Sequence, residues 1–443
     1  MPGPELPSFP EDKRLPKSVD VVVIGGGIVG ASTALELAER GVSVLLCEKG
    51  QIGAEQSSRN WGWVRISHRD PREVPLMVEA MKIWQGLEER TGHKTGYHRC
   101  GSLFTATSQS QADQLQRWTR HLADTEFDCR MIQGGELQDQ LPGHQGELLS
   151  GLATAQDGRA EPQWATHAIA MGGRAAGASV LTNCAVRSVD VQAGQVAGVV
   201  TELGRVACSS VVVAGGAWSR LFLGNAGVSL PQLKVLNSVI RSSAVSGGPD
   251  VTLWANNYAL RKRVDGGYTV ASGTENMVDI VPDSFRLGIK FLPAYLSEWR
   301  SMRFRLSGRW REEASQKRRW SADERTAFEL CRTLDPEPSQ SAIKSGWAKV
   351  QQAFPMLQQA DVLQSWAGLI DVMPDAIPVI SAVDDLTGLF ISTGYSGHGF
   401  GLGPGAGRLM ADMVSGASPV VDPYDFRLSR YSDGSRVRPD SGT

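Results

Sequence analysis

The first fifty residues combine two apolar runs with one stretch of helical periodicity. Residues 19–24 (VDVVVI) are almost entirely apolar and β-branched, which predicts a strand buried on both faces, as in a parallel sheet. A glycine run at 25–30 follows directly. Residues 31–40 then carry apolar side chains at helical spacing, and residues 42–47 form a second apolar run that ends at Glu48. The pattern predicts a strand–turn–helix–strand unit.

The rest of the chain alternates between helical patterns and short apolar runs. Helical periodicity predicts helices over 72–90, 110–123, 163–176 and 342–354. Short strands are predicted over 179–181, 185–191, 196–203, 205–207, 211–214, 366–369, 378–380 and 389–392, and residues 232–275 show strand-like alternation. This alternation of elements indicates an α/β protein.

Composition and charge narrow the class of protein. The chain has 443 residues, is 41% hydrophobic and 21% charged, and carries a net charge of −2, which argues against a general nucleic-acid binder. Residues 1–18 lack the apolar stretch of a signal peptide, and no run reaches about 18 apolar residues, so we expect a cytoplasmic protein. The cysteines form no CxxC pair and the histidines no HxxxH pair, so we expect no metal site.

Glycine is in excess, with 49 residues, and much of the excess lies in three clusters that each follow an apolar run. In the first cluster, Gly25 permits a tight turn, Gly27 permits close approach to a pyrophosphate, and Gly30 lets helix and strand pack closely. The helix N-terminus attracts phosphate, and Glu48 can accept hydrogen bonds from a ribose. The unit predicts a dinucleotide site, and the small, polar and basic segment directly after Glu48 favours FAD over a nicotinamide cofactor.

Three sequence blocks carry a resemblance to a known family. They are VVVIGGGIVGASTALELAERG near the start, SSVVVAGGAWS in the middle, and WAGLIDVMPDAIPVI followed by TGYSGHGFGLGPGAG near the end. In this order they resemble the D-amino-acid oxidase and dehydrogenase superfamily of FAD-dependent oxidoreductases, which includes glycine oxidase and sarcosine oxidase. The resemblance covers nearly the whole chain.

The resemblance implies a fold class and a division of the chain. The fold is α/β, with a Rossmann-like FAD-binding domain interleaved with an α+β substrate domain built on a mixed sheet. The FAD-binding domain would comprise residues 17–97, 160–231 and 362–423, and the substrate domain would comprise 98–159 and 232–361. Residues 1–16 would form a flexible lead before these domains, and residues 424–443 a tail after them.

The resemblance also implies which residues bind FAD, without a covalent bond. They are Gly25, Gly27, Gly30, Glu48, Ser57, Ser58, Arg59, Ala214, Gly215, Trp218, Gly397, His398, Gly399 and Phe400. The last four would lie against the flavin, where backbone N–H groups and a helix dipole stabilise negative charge. Members of the family with a covalent flavin attach it through a cysteine in the region of 362–423, and this chain has none there.

The implied activity is oxidation of a C–N bond in an amine or amino acid. Hydride passes from the carbon beside the amine to flavin N5 and leaves an imine, so no protein residue is expected as an obligatory catalytic base. Two alternatives stay open, a secondary-amine or N-alkyl amino acid oxidase and a flavin subunit of a multi-component electron-transfer complex. The electron acceptor would be oxygen or a quinone.

One departure from the family concerns the substrate carboxylate. Family members that act on amino acids often have an arginine where this chain has Ile370, so either another arginine binds the carboxylate or the substrate lacks one. Arg65 and Arg261 are the candidates, and the alternative for each is an ion-paired or surface arginine. Tyr258 and Tyr395, together with Trp61, Trp63 and Phe400, are candidate lining residues, although each also suits an ordinary core.

Residues 285–330 are basic and rich in aromatic residues. On one helix, a stripe would run through Leu292, Tyr295, Leu296, Trp299, Met302 or Arg303, Leu306 and Trp310. The segment is interpreted either as a substrate-domain helix with a solvated basic face or, over 290–320, as a membrane-surface or partner-docking element.

Overall fold

The computed structural model describes residues 3–440 except 11, 13, 124, 256, 274, 275, 300 and 301. Parts of the predicted lead (1, 2, 11 and 13), of the predicted tail (441–443) and of the predicted basic segment (300 and 301) therefore lie outside the described residues.

In the described residues, the strands form two large sheets and two small ones. In chain order they are β1 (Val21–Ile24), β2 (Val44–Cys47), β3 (Trp63–Val64), β4 (Ser102–Ala106), β5 (Cys129–Ile132), β6 (Ser150–Thr154), β7 (Gly158–Arg159), β8 (Ser179–Leu181), β9 (Val186–Gln192), β10 (Gln195–Thr201), β11 (Gly204–Ala207), β12 (Ser210–Val213), β13 (Leu233–Ser242), β14 (Thr252–Ala255), β15 (Tyr258–Lys262), β16 (Tyr268–Ser272), β17 (Asn276–Asp279), β18 (Met302–Arg305), β19 (Val362–Val372), β20 (Val379–Ala382) and β21 (Leu389–Thr393).

Helices connect and cover these strands. In chain order they are α1 (Ile28–Glu39), α2 (Gln56–Arg59), α3 (Val74–Thr91), α4 (Gln109–Trp118), α5 (Gly134–Gln140), α6 (Pro162–Ala175), α7 (Ser219–Asn225), α8 (Pro282–Glu298), α9 (Arg309–Ser315), α10 (Ala327–Leu330), α11 (Gln340–Ala353) and α12 (Gly399–Ser415). The helices predicted over 72–90, 110–123, 163–176 and 342–354 correspond to α3, α4, α6 and α11. Among the described helices, none combines the length and the apolar character needed to cross a bilayer.

The six-stranded sheet has the order β20-β21-β12-β1-β2-β8, and every neighbouring pair except β20–β21 is parallel. Val21 and Val23 pack into one apolar core and Val22 into another, so both faces of the sheet are buried. Because parallel strands end at the same edge, the turns after β1, β12 and β21 lie close together. These are the three glycine-rich clusters of the sequence.

The ten-stranded sheet is mixed, with the order β18-β17-β13-β16-β15-β14-β4-β6-β5 and with β19 paired to β13. β19 runs antiparallel to β13 from the pair Val372–Leu233 to the pair Val362–Ser242. The segment 362–423 thus contributes one strand to this sheet before β20 and β21 enter the six-stranded sheet. The predicted fold class, a Rossmann-like sheet together with a mixed α+β sheet, is confirmed.

The described part of residues 1–16 lies along the surface and makes specific contacts. The Gly3 N–H donates to Asp335 at 3.1 Å, and the Gln364 side chain donates to the Gly3 carbonyl at 3.2 Å. Farther along, the Asp12 carboxylate accepts a hydrogen bond from Arg174 at 3.1 Å and one from the Val180 N–H at 2.8 Å.

The prediction of a continuous helical stripe through residues 292–310 is wrong. α8 ends at Glu298, and β18 then pairs in parallel with β17 over the register from Asn276–Met302 to Asp279–Arg305. Pairing with a distant strand therefore overrides the helical periodicity of this stretch. Trp310 lies on the separate helix α9, where its ring packs edge-on against Phe285 of α8 with centroids 5.8 Å apart.

Candidate functional site

One cavity of about 530 Å³ extends along the edge where the three glycine-rich turns meet. Its wall includes Glu48 at the end of β2, the N-terminus of α1, and residues of the turns after β1, β12 and β21. On the opposite side it reaches β19 and a group of aromatic residues. The cavity therefore connects the predicted cofactor residues with the predicted substrate residues.

The first turn needs glycine for steric reasons. Gly25 has a φ of +109°, and a Cβ built on it would lie 2.4 Å from the Ala214 carbonyl oxygen in the neighbouring turn. A Cβ on Gly30 would lie 2.0 Å from the Gly25 carbonyl oxygen, because α1 crosses β1 closely. Gly30 itself does not line the cavity, and its role is to permit this crossing.

The N-terminus of α1 faces the cavity and has no acidic residue in its first turn. The Ile28 N–H donates to the Ser57 hydroxyl at 2.9 Å, and a Cβ on Gly27 would lie 3.0 Å from that oxygen. Nearby, the Glu48 carboxylate accepts hydrogen bonds of 2.7 Å from the Gly26 and Gly50 N–H groups. Burial raises the pKa of Glu48 in spite of these bonds and of neighbouring Lys49.

Ser58 and Arg59 follow Ser57 but lie differently. Ser58 is buried and does not line the cavity; its carbonyl accepts a hydrogen bond from Gln163 at 2.9 Å. Arg59 lines the cavity and is nearly fully buried, and its guanidinium donates to the Ala367 carbonyl of β19 at 2.9 Å and to Asp335. Arg59 thus joins α2 to β19.

Around the second turn, Ala214, Gly215 and Trp218 all line the cavity. The Trp218 indole N–H donates to the Glu55 carboxylate at 3.0 Å, and the Lys49 ammonium lies 4.7 Å from the ring centroid. Lys49 and Glu55 also pair with each other at 2.7 Å. Sequence reasoning missed both residues, whose only signal was their place in the polar segment after Glu48.

The third turn leads into α12, which begins at Gly399 and has no acidic residue in its first turn. Gly397, His398, Gly399 and Phe400 line the cavity. His398 Nδ1 lies 2.9 Å from the carboxylate of Glu73, and the same carboxylate oxygen lies 3.3 Å from Arg69. Burial alone would raise the pKa of Glu73, but His398 and Arg69 outweigh burial and lower it. Glu73 and Arg69 were missed by sequence reasoning.

The candidate substrate residues separate into two groups. Arg65, Ile370 and Tyr395 line the cavity, whereas Tyr258 and Arg261 do not. Arg261 is fully buried and forms a salt bridge with Glu161 at 2.8 Å, so it is an ion-paired core arginine. Tyr258 lies on the face of β15 opposite to that of Arg261, and its ring packs edge-on against Phe354 with centroids 6.4 Å apart.

Of the two candidate substrate arginines, Arg65 is the one that lines the cavity. Its guanidinium donates to the Ser67 and His68 carbonyls and lies 5.2 Å from the Phe104 ring centroid and 5.9 Å from that of Trp63. Within the described residues, no carboxylate lies within 4.0 Å of it. Burial, together with the charge of nearby Arg69, lowers the pKa of Arg65 to about 9.

Aromatic side chains form the wall beside Arg65. Trp61 stacks on Trp254 with centroids 5.6 Å apart, and Trp63 packs edge-on against both Trp254 and Phe104. His68 stacks on Phe104 at 5.3 Å, and burial, with Arg65 and His398 nearby, lowers the pKa of His68 to about 4. The sequence indicated Trp61 and Trp63 as candidates but not Phe104 or Trp254, which other strands bring to the wall.

Asp371 follows Ile370 and also lines the cavity. Its carboxylate accepts a 2.8 Å hydrogen bond from the Gly394 N–H and 3.3 Å bonds from Thr393 and Gln232. Burial raises the pKa of Asp371 to about 6. No sequence pattern singled it out, because a lone acid in an apolar strand carries no spacing signal.

These residues fit FAD on observations of this structure. A single cavity joins Glu48, two helix N-termini free of acidic side chains and all three glycine turns, and Cβ atoms on those glycines would collide with neighbouring backbone or narrow the cavity. A family model described as FAD dependent oxidoreductase matches residues 20–413. The chain belongs to this family. The predicted family and the predicted FAD cofactor are confirmed.

Relatives and solved structures add detail. Glycine oxidase of Pseudomonas aeruginosa is 27% identical over 424 residues, which cover 92% of this chain and 97% of the oxidase. Human mitochondrial dimethylglycine dehydrogenase is 23% identical over 431 residues, which cover 97% of this chain and 46% of the dehydrogenase. The chain therefore spans about half the length of the dimethylglycine dehydrogenases that it matches.

Solved structures of L-amino acid deaminases match nearly the whole chain. The L-amino acid deaminase from Proteus myxofaciens, solved in complex with anthranilate, is 32% identical with a TM-score of 0.94, and the match covers 98% of each chain. The L-amino acid deaminase from Proteus vulgaris is 31% identical with a TM-score of 0.91, and the match covers 96% of this chain and 100% of that one.

Proposed function

We propose that this chain oxidises the C–N bond of an α-amino acid and that Arg65 binds the substrate carboxylate. The observation that carries the proposal is a guanidinium in the cavity wall with no carboxylate partner within the described residues. Arginine binds carboxylates as a two-pronged donor, and a half-buried site strengthens that pairing. Similarity to proteins named glycine oxidase and L-amino acid deaminase supports the same substrate class.

The surrounding residues suit the chemistry of this family. FAD, when bound, accepts the hydride from the carbon beside the amine. Trp61, Trp63 and Trp254 exclude water from that carbon and orient an apolar side chain. His68, with its low pKa, is neutral at pH 7 and can accept a hydrogen bond from the amine.

We propose that FAD is bound by those residues of the predicted set that line the cavity. Gly30 and Ser58, which do not line it, would support these residues from within the fold. Glu48 and the N-terminus of α1 would hold the adenosine diphosphate part, and the turn before α12 would lie at the flavin. The domain boundaries proposed from the sequence, 17–97, 160–231 and 362–423 against 98–159 and 232–361, are supported by the two large sheets, with β19 linking them.

The decisive experiment compares substrates that differ only in the carboxylate. Purified holoenzyme is mixed anaerobically with L-phenylalanine or with 2-phenylethylamine, and loss of flavin absorbance is followed. We expect R65Q to lose about 100-fold in kcat/KM for the amino acid, roughly 3 kcal/mol, and little for the amine. R65K should recover part of the loss, and R408Q, at an exposed position of α12, should match the parent. Equal losses for both substrates would refute the assignment.

A second candidate substrate class is an N-alkyl amino acid. Ile370 stands where the family resemblance implies a carboxylate-binding arginine, and its apolar side chain lines the cavity near Gly397. The relatives named dimethylglycine dehydrogenase and 4-methylaminobutanoate oxidase are consistent with this class. The same anaerobic screen, extended to D-amino acids, L-imino acids and N-methyl amino acids, identifies the class by the fastest flavin reduction.

The third reading is a flavin subunit of a larger electron-transfer complex. The chain spans about half of the longer relatives, so a further domain or partner is compatible with it. If no amine or amino acid reduces the purified flavin anaerobically, this reading replaces the first two.

We further propose that α8 docks on an anionic membrane surface and that a quinone there is the electron acceptor. Ile289 is 90% exposed and Leu296 64% exposed, and Phe285 and Leu292 are exposed beside them. Basic side chains of the same segment complement anionic lipid.

A cosedimentation assay tests this docking. We expect the holoenzyme to bind phosphatidylglycerol vesicles in a salt-sensitive way and I289E/L296E to lose that binding. L203E, which alters an exposed leucine of the β10–β11 hairpin, is the matched control. Binding that survives I289E/L296E, or its absence in the parent, would leave oxygen as the acceptor to test.

A further inference from the structure

A second cavity, of about 300 Å³, lies at the base of α8 and apart from the cofactor cavity. Six charged side chains define this basic pocket: Arg220, Lys234, Asp283, Glu313, Arg318 and Arg319. They come from α7, β13, the first turn of α8, α9 and the segment after α9. Neither the family nor the proposed reaction assigns a role to this pocket.

The acids of the basic pocket are shared among more cations than they can neutralise. Asp283 pairs with Arg220 at 2.7 Å, and it also accepts bonds from Arg318 at 2.8 Å and from Arg286 at 3.0 Å. Burial would raise the pKa of Asp283, but these guanidinium groups lower it well below its ordinary value. The carboxylate is therefore ionised and still leaves an excess of positive charge around it.

The same imbalance holds on the other side of the basic pocket. Glu313 pairs with Lys234 at 3.1 Å and with Arg309 at 2.6 Å. Arg319 donates to the Asn225 carbonyl at 2.8 Å, which is a neutral partner. In the wall of the basic pocket, two carboxylates thus face four cationic side chains, and each guanidinium has more donors than these contacts use. Arg309 lies outside this wall and also pairs with Asp279 at 3.2 Å.

Such a cleft concentrates positive potential. Charges of one sign around a concave, low-dielectric wall focus the field and attract counter-ions. Arginine donates two parallel hydrogen bonds that match the oxygens of a phosphate group, and lysine adds a point charge. A cavity many times the ~30 Å³ share of one water has room for a phosphate with a further group attached.

We propose that the basic pocket binds the phosphate group of an anionic ligand. The ligand is either a soluble phosphorylated molecule or the headgroup of a phospholipid, since both present the same chemistry. Lys234 also lies 5.8 Å from the ring of Trp218, which lines the cofactor cavity, so the two cavities are separate but neighbouring.

Calorimetric titration of the FAD-saturated holoenzyme with inorganic pyrophosphate at low ionic strength tests the proposal. Saturation with FAD keeps the probe away from the N-terminus of α1. We expect R318Q/R319Q to weaken pyrophosphate binding at least tenfold and R318K/R319K to weaken it less, because charge remains. The Arg318 side chain is 40% exposed and Arg319 is exposed, so both variants should fold, as thermal melting verifies.

R117Q, which removes an exposed arginine of α4, is the matched control and should leave the affinity unchanged. No binding by the holoenzyme, equal binding by R318Q/R319Q, or an equal loss in R117Q would each overturn the proposal. This result is independent of amine oxidation, because flavin reduction by substrate is measured separately.

A vesicle arm distinguishes the two sources of phosphate. If pyrophosphate displaces the holoenzyme from phosphatidylglycerol vesicles, and R318Q/R319Q binds those vesicles less, the ligand is a lipid headgroup. If pyrophosphate binds but does not compete with the vesicles, the ligand is soluble. Vesicle binding without any pyrophosphate binding would overturn the proposal and leave only the apolar contact of α8.

Discussion

His398 Nδ1 lies 2.9 Å from the carboxylate of Glu73, although 325 residues separate the two along the chain. Glu73 is fully buried at the start of α3, and His398 directly precedes α12 and lines the cavity. The bond fixes the imidazole so that Nδ1 faces the protein. Nε2 is then the nitrogen available to the cavity.

Replacing Glu73 by glutamine tests how much the buried Glu73 carboxylate contributes to the stability of the protein. The substitution keeps an acceptor for His398 but leaves Arg69 buried without its carboxylate, so we expect a loss of about 3–5 kcal/mol in the free energy of unfolding. Urea unfolding of the holoenzyme measures the change. E79Q, which breaks a pair with the exposed Lys82 on the same helix, should cost less than about 1 kcal/mol. Similar losses in the two variants would show that burial of the pair does not matter.

Gly30 provides a steric test of the crossing between α1 and β1. In G30A the new Cβ would lie 2.0 Å from the Gly25 carbonyl oxygen, so the helix must shift at the turn proposed to bind the pyrophosphate. We expect a loss of about 1–3 kcal/mol in stability and a marked weakening of FAD binding, measured by unfolding and by fluorescence titration of FAD.

A glycine-to-alanine change in α3 should raise the stability of the protein rather than lower it. Gly86 lies inside a helix, and a Cβ on it would meet no atom within 4 Å. G86A should therefore stabilise the protein by up to about 1 kcal/mol through helix propensity and leave FAD binding unchanged. If G30A bound FAD as the parent does, the close crossing would not be needed for the cofactor site.

The cofactor edge was predictable because its signals are local. A buried strand, a glycine turn and an amphipathic helix are encoded within about thirty residues, and parallel pairing then brings three such turns to one edge. Gly25, Glu48, Gly215 and Gly397 could therefore be predicted at this edge before any contact was known, and all four line the cavity.

The substrate side was less predictable because distant partners decide it. Arg65 and Arg261 both follow apolar strand patterns in the sequence. In the folded protein, Arg261 forms a buried salt bridge with Glu161, whereas Arg65 lines the cavity. In the same way, β18 takes its conformation from pairing with β17, which its own periodicity does not reveal. Non-local pairing overrides local pattern at these positions.

FAD should be released when the protein is denatured. Residues 362–423 contain no cysteine, and the cysteine in the cavity wall is Cys47, beside Glu48 at the end predicted for the adenosine. Precipitation with acid should leave a colourless pellet and a yellow supernatant. A yellow pellet would show a covalent bond, and digestion with mass spectrometry would then locate it.

Asp371 should make stability depend on pH in a defined direction. Burial raises the pKa of Asp371 to about 6, from an ordinary value of 3.8. Between these two pH values, the folded protein therefore keeps a proton on Asp371 that the unfolded chain has released. Stability should therefore fall as the pH rises from about 4 to about 6. D371N removes this charge while keeping an acceptor for Gly394, and we expect it to be up to about 3 kcal/mol more stable than the parent above pH 6 and nearly equal near pH 4. Urea unfolding at both pH values measures the difference, with the exposed D361N as control. A parent and a D371N variant that change in parallel over this range would show that Asp371 is already ionised.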